Sequence, residues 1–393
     1  MLNFELKEVE WDERLGFGLE FEFALATLPL GTKDPEPEQG RQIYSIDVPL
    51  DSPETDPNTL TDIDRELNVQ LHIVNAAATK GFRVASQIQL ERHRKAWENG
   101  DLQTEPEPSD VQWIVKHDDT IQFPTAQIDT YKWYKVAICT PALMFSPWNL
   151  RHIWDFLRII TNRYRLNCNQ SCALHVHVSM GKKDFSLDIL KNLMGLIFTF
   201  ERQLEHCHPP YRIHKKPSST FPHEGLPSMR PPARSEIASL AAIFRATSAA
   251  ELVHMFSSDE HFRLRYHHIG FLDEPPPPPP SPDPLARRIV FRQHQATTSP
   301  ERIERWLNVC CRLVEVARQM ASAGATAEET RAFRAFLLDH VSGDVEDFGL
   351  VMLLVRLGLV HEAEEYGMEM ANRPDFRPAR RSLNPSASYR VGS

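Results

Sequence analysis

Residues 171–180 read Ser171-Cys172-Ala173-Leu174-His175-Val176-His177-Val178-Ser179-Met180, a run of strand formers carrying two histidines two positions apart. Side chains alternate faces along a strand, so His175 and His177 share one side while Leu174, Val176 and Val178 occupy the other. A sheet can present two nitrogen ligands to one ion in this way. The same spacing also fits a half-buried strand whose rings face water. Two other segments favour a site. Gly18-Leu19-Glu20-Phe21-Glu22-Phe23 alternates with both carboxylates on one face, and Ile289-Val290-Phe291-Arg292-Gln293-His294 is a third strand-like stretch with polar groups on one side.

The chain has 393 residues, 41% of them hydrophobic, enough for one large domain or two of average size. A formal net charge of −9 argues against general affinity for nucleic acid or anionic membrane. No apolar run approaches the length of a membrane span, and the start, MLNFELKEVEWDE, is acidic where a secretion signal is basic and then apolar. The expectation is a soluble, cytoplasmic protein. Six cysteines in so long a chain make no disulfide framework. Cys168, Cys172, His175 and His177 form a cluster that could hold zinc, but no second Cys-x-x-Cys pair completes it.

A first strand over about 15–25 leads into Pro-, Asp- and Glu-rich sequence, and 27–60 is expected to be a flexible insertion. Thr61, with Asp64 three positions on, opens a helix whose inner face carries Ile63, Leu67, Leu71, Val74 and Ala78 and which stops near Gly81. Residues 82–90 have strand content, 111–121 read as a strand entering a turn at Asp118-Asp119, and 131–138 as another strand. Ser146 and Pro147 start a helix that crosses to the histidine strand, and a second capped helix begins near Ser186, with Glu201 expected as an exposed charge at the edge of its apolar face. Residues 206–232 are loop-like and carry Arg212, Lys215 and Lys216, and 235–256 read as helical. The prolines within 273–286 impose an extended polyproline insertion, an inert spacer or a docking point for a protein partner. A strand over 287–293 precedes helices opened by Ser299-Pro300 and by Thr326 with Glu329. Residues 1–372 are expected to form a single domain and 373–393 a disordered basic tail.

The succession GLEFEF, WIVKHDDTI, YKVAICTPAL, SCALHVHVSM and IVFRQHQAT, with helices between, resembles the amidoligase family, relatives of glutamine synthetase and the glutamate–cysteine ligases. The likeness runs from about Gly16 to Arg318. Each motif is short and unspecific alone; five in order are specific. The resemblance implies an α+β fold, a curved antiparallel sheet flanked by helices. It also implies an ATP- and Mg²⁺-dependent carboxylate–amine ligase, in which ATP phosphorylates a carboxylate and an amine attacks the acyl phosphate to form an amide or isopeptide bond. Its substrates would be amino-acid, peptide or other carboxylates and amines. Such chemistry needs divalent cations on oxygen ligands and arginine near the transferring phosphoryl group. By correspondence, Glu20, Glu22 and His175 are expected to hold Mg²⁺, and His177 and Arg292 to meet the phosphates and serve catalysis. Asp118 matches the catalytic acid of a D-G-S-type turn, and Arg212 is matched loosely to a nucleotide-side arginine after the second helix.

The departures matter as much. Ala137 stands in VAICTP where the family has glutamate in VE(I/V)xSP, and Val290 in VFR where the family has EFR. Both absent glutamates are expected metal ligands. Ala173 and Ala296 stand where the family has glycine, which alters how closely backbone can approach a ligand. Mg²⁺ gives up water reluctantly, so losing two carboxylates weakens its site. Three readings stay open: an active enzyme with relocated ligands, a one-metal enzyme of altered chemistry, or, as the alternative function, a catalytically impaired homologue that binds nucleotide or peptide and acts through interactions. Glu36, Glu38, Asp119 and Glu201 are the carboxylates available to stand in.

Overall fold

The structure, a computed structural model, describes residues 15–29, 31–37, 43–45, 61–104, 111–125, 130–181, 183–213, 236–256, 264–267, 288–322, 324–343 and 345–373. The polyproline insertion, Glu38, Lys215, Lys216 and the basic tail beyond 373 lie outside the described residues.

The strands are β1 (Gly16–Leu28), β2 (Tyr44–Ser45), β3 (Val84–Ser86), β4 (Trp113–Lys116), β5 (Lys132–Cys139), β6 (Leu143–Met144), β7 (Leu166–Asn167), β8 (Ala173–Ser179), β9 (Leu264–His267) and β10 (Arg288–Gln295). They form one open, curved sheet with main order β3-β4-β5-β1-β8-β10-β9, while β2, β6 and β7 each pair with β1. The helices are α1 (Asp62–Ala78), α2 (Gln87–Glu98), α3 (Pro147–Arg163), α4 (Leu187–Glu205), α5 (Pro210–Ile213), α6 (Glu236–Arg245), α7 (Ala249–Phe256), α8 (Pro300–Ala321), α9 (Ala327–His340), α10 (Leu350–Arg356) and α11 (Val360–Asn372). This is the α+β architecture expected. Pairing is antiparallel throughout the centre, but β3 runs parallel to β4 and β2 to β1, so the sheet is mixed.

Every residue of β1 is buried, because a strand paired on both sides and covered on both faces has no water-facing row. On its back face Leu19, Phe21 and Phe23 join Val136 and Ile138 of β5, Leu174, Val176 and Val178 of β8, and Ile289 and Phe291 of β10 in one core with α3, α4 and α8. Each such side chain contributes roughly 1.5–3 kcal/mol on burial, so this layer sets the register of the sheet. The front face differs. Beyond Glu22 it is roofed by a small second cluster of Ala24, Ala26, Ile43, Ile121, Tyr131, Trp133 and Cys172.

Several local expectations change. Residues 87–90 belong to α2 rather than to a strand, because the Ser86 hydroxyl accepts from the Gln89 N–H and caps a helix there. That helix supplies the long connection a parallel pair needs. Ile63 is exposed, and the inner face of α1 is made one turn later by Leu67, Leu71, Ile73, Ala76 and Ala77. Glu201 is buried rather than exposed, under the sheet beside Phe291 and Gln293. Within 27–60, Tyr131 donates to Asp34 at 2.7 Å, Arg165 donates to the Glu36 carbonyl, and Ile43 is buried.

Candidate active site

The front face is a lattice of side chains fixed by strand register. Glu20 on β1 lies opposite Cys139 on β5 and His175 on β8; Glu22 lies opposite Ala137. Gly18 lies opposite His177, which in turn lies opposite Val290 on β10. Lys116, at the end of β4, lies opposite Ala137, and Arg288 lies opposite Ser179. The pleat thus brings two carboxylates, two imidazoles and an ammonium to one buried patch.

His175 stands between the carboxylates. Its Nδ1 is 3.0 Å from Glu20 Oε2 and its Nε2 is 3.1 Å from Glu22 Oε1. His177 Nε2 is 3.7 Å from Glu20 Oε2. The other oxygen of Glu20 is 2.7 Å from Lys116 Nζ, and Glu22 Oε2 accepts the Ala173 N–H at 2.8 Å. Burial alone would raise the Glu20 pKa, yet His175, His177 and Lys116 around it hold it well below the usual carboxylate range. Glu22 is shifted the other way, raised by burial against the opposing pull of His175, with Glu20 and Asp118 adding to the rise. Burial lowers His177 to about 4 despite Glu20, and the Arg288 charge adds to the lowering. Burial pushes the Cys139 thiol up, so it stays protonated and is no nucleophile.

One oxygen from each of Glu20 and Glu22 and one nitrogen of His175 lie within 4.8 Å of one another, a spread that one divalent cation can span. This is the sole grouping of three or more His, Cys, Asp or Glu ligands among the described residues. The geometry therefore unites the three expected metal-side residues with His177. Cys168 and Cys172 do not join the histidines, which removes the zinc reading for the described residues.

The remaining expected residues border the patch. Asp118 accepts from the Thr120 N–H at 2.9 Å and shapes the turn after Lys116; its charge acts on both Glu22 and Lys116. Its neighbour His117 lies between Glu66 of α1 at 2.7 Å and Asp119 at 2.9 Å, which fastens the turn. Arg292 lies where the pairing of β10 with β8 shifts register, between Phe291 and His294; it is half-buried and makes no hydrogen bond or ion pair among the described residues. Arg212 of α5 donates to the His294 carbonyl at 2.7 Å, at the far end of the same strand.

The family model described as "Putative amidoligase enzyme" matches residues 13–314. The chain belongs to this amidoligase family. No curated protein matches it. Among the described residues, no helix is long and apolar enough to cross a membrane.

Within the amidoligase frame, the two departures fall on the patch itself. Ala137 is the neighbour of Glu22 and Val290 the neighbour of His177, and both are fully buried. Among the described residues, none of the carboxylates available to stand in replaces them. Glu36 faces Arg165, Asp119 faces His117, and Glu201 lies beneath the opposite face of the sheet. Two contributors are not visible in the sequence. Lys116 and Arg288 place cations on the patch, and only the pairing of distant strands reveals it. Alternation within WIVKHDDTI does put Lys116 on one face with Ile114, but nothing local says that face meets Glu20.

Proposed function

We propose that this amidoligase-family chain is an ATP-dependent carboxylate–amine ligase that forms an amide or isopeptide bond through an acyl-phosphate intermediate. The observation that carries the reading is the buried union of Glu20, Glu22, His175 and His177 from strands 155 residues apart in sequence. Glu20, Glu22 and His175 would hold Mg²⁺, which supplies neutralisation of triphosphate charge when bound. His177, neutral in its ring because burial lowers its pKa, can give a hydrogen bond to phosphate oxygen without adding a charge. Arg292, which makes no hydrogen bond or ion pair among the described residues, and Arg288 on the same strand would offer guanidinium groups on the β10 side to a transferring phosphoryl group. The roof made by Trp133, Tyr131, Ile121 and Ile43 excludes water from one end of the patch, as an acyl phosphate requires. Asp118, on the turn beside the patch and near enough for its charge to act on Glu22, would take the proton of an attacking amine.

Purified protein given MgATP with pooled amino acids and short peptides is expected to release ADP and phosphate only when a carboxylate acceptor is present. The double change Glu20→Gln, Glu22→Gln is expected to abolish that release. No release above background with any pool would overturn the proposal.

A second reading has its own observation: Ala137 and Val290 leave the patch short of carboxylates on both flanks. In that reading the chain binds nucleotide or peptide and turns over slowly or not at all. Calorimetric titration separates the two, since binding of ATP without ADP formation supports the second and binding with formation the first.

A further inference from the structure

Lys116 and Glu20 belong to strands that are not neighbours; β5 lies between them. Adjacent strands are about 4.8 Å apart, so β4 and β1 are separated by about 10 Å. The 2.7 Å contact between Lys116 Nζ and Glu20 Oε1 is therefore made above β5, over its front-face residues Ala137 and Cys139. Both are small. A side chain longer than a methyl at 137 would stand in the path of the lysine stem, because residues opposite one another on a sheet have Cβ atoms only about 5 Å apart. The alanine that removes a carboxylate from the patch is thus also what lets the ammonium in.

The charges agree with this arrangement. Two buried carboxylates with no cation would repel each other at short range, and a buried charge persists only when paired. Glu20 commits one oxygen to Lys116 and turns the other toward His175 and His177; Glu22 commits one to the Ala173 N–H and turns the other toward His175. Among the described residues, the atoms grouped closely enough to gather around an ion are the three that face each other at Glu20, Glu22 and His175.

We propose that Lys116 is a built-in cation: its ammonium holds the β5 side of Glu20, where a further divalent cation would otherwise be held, so that this patch takes one divalent cation, between Glu20, Glu22 and His175. The inference rests on the metal-binding part of the reading above and deepens it, since it gives the patch a fixed positive charge that needs no ion.

The test uses the full chain, stripped of metal and free of nucleotide, with Mn²⁺ as the probe and free Mn²⁺ followed by electron paramagnetic resonance. Wild type is expected to bind one Mn²⁺ per chain, and Lys116→Arg to do the same. Lys116→Met, which keeps the stem and removes the charge, is expected to gain at least tenfold in Mn²⁺ affinity or to take a second ion. Its metal-free thermal midpoint is expected to lie below that of metal-free wild type and to rise more than the wild-type midpoint does when Mn²⁺ is added. Unchanged stoichiometry with affinity within threefold of wild type in Lys116→Met overturns the proposal. If that variant does not fold, Ala137→Leu in the wild-type background decides: its longer apolar side chain stands in the path of the Lys116 stem and adds no carboxylate, so Mn²⁺ affinity should rise at least tenfold or a second ion should bind, and unchanged stoichiometry with affinity within threefold of wild type overturns the proposal. Neither readout involves nucleotide, so failure here leaves ADP release as an independent test of the ligase reading.

Discussion

Glu20 and Glu22 point the same way from one strand, only 6% and 2% exposed, yet their surroundings ionise them differently. Glu20 is held low by His175, His177 and Lys116 against its burial, whereas burial raises Glu22 and only His175 offsets it strongly. The two are therefore unequal under mutation. Glu20→Gln leaves the Lys116 ammonium, four-fifths buried, with no carboxylate at its tip. Breaking a buried pair on one side costs roughly 3–5 kcal/mol, and partial exposure of Lys116 brings the expectation to about 3 kcal/mol. Glu22→Gln keeps an oxygen for the Ala173 N–H and is expected to cost about 1 kcal/mol or less. Urea unfolding of the two metal-free variants checks this. Equal losses would show that Lys116 does not depend on Glu20.

Elements whose ends are written in local chemistry are legible in the sequence. Thr61, Ser146, Ser186, Ser299 and Thr326 each cap the helix expected after them, and each side chain accepts the backbone N–H three residues on. The paired strands of the patch are legible too, because alternation in GLEFEF and ALHVHV assigns faces without knowledge of neighbours. What local sequence does not carry is which strands adjoin. The parallel β3–β4 edge, the reach of Lys116 across β5 and the burial of Glu201 all depend on pairings between distant segments. The exposure of Ile63 has the same origin, since periodicity marks a stripe on α1 but the packing partner decides how far toward the N-terminus it is covered. The caps are separable from the site. Thr326 accepts the Glu329 N–H at 3.1 Å and donates its own N–H to the Glu329 carboxylate at 2.6 Å, on a helix that joins the core behind the sheet through Phe333 and Leu337. Thr326→Ala is expected to lower stability by about 1 kcal/mol, seen as a shift of the urea midpoint at constant slope, with Mn²⁺ binding unchanged.

One continuous apolar core joins the back of the sheet to α3, α4, α8, α9, α10 and α11, so protonation of groups buried in or beside it is felt by the whole fold. His294 is such a group. Its ring is packed among His208 and Trp306, and its Nδ1 is 2.7 Å from the Gln295 carbonyl. Burial lowers its pKa from 6.5 to about 4, the Gln295 carbonyl opposes the shift, and the Arg212 charge adds to it. The folded value lies below the unfolded one, so between pH 6.5 and about 4 the unfolded chain takes up a proton that the folded chain refuses. Stability from this group is complete above pH 6.5, declines as pH falls through the window and is gone below about 4. The shift corresponds to roughly 3 kcal/mol. His177 and the less buried His72 are lowered to about 4 by burial as well and act in the same direction. Wild type should therefore lose stability steadily on acidification through this range. His294→Phe keeps a ring of similar size among its neighbours and gives up the hydrogen bond to Gln295, a loss that is the same at every pH. Its stability should be lower than wild type at neutral pH but fall less on acidification, by about 2 kcal/mol between roughly pH 7.5 and 4.5. Urea titrations at those two pH values measure the difference directly. Parallel declines in the two proteins would mean that His294 does not carry its share of the acid sensitivity, and that His177 at the patch and His72 on α1 account for it.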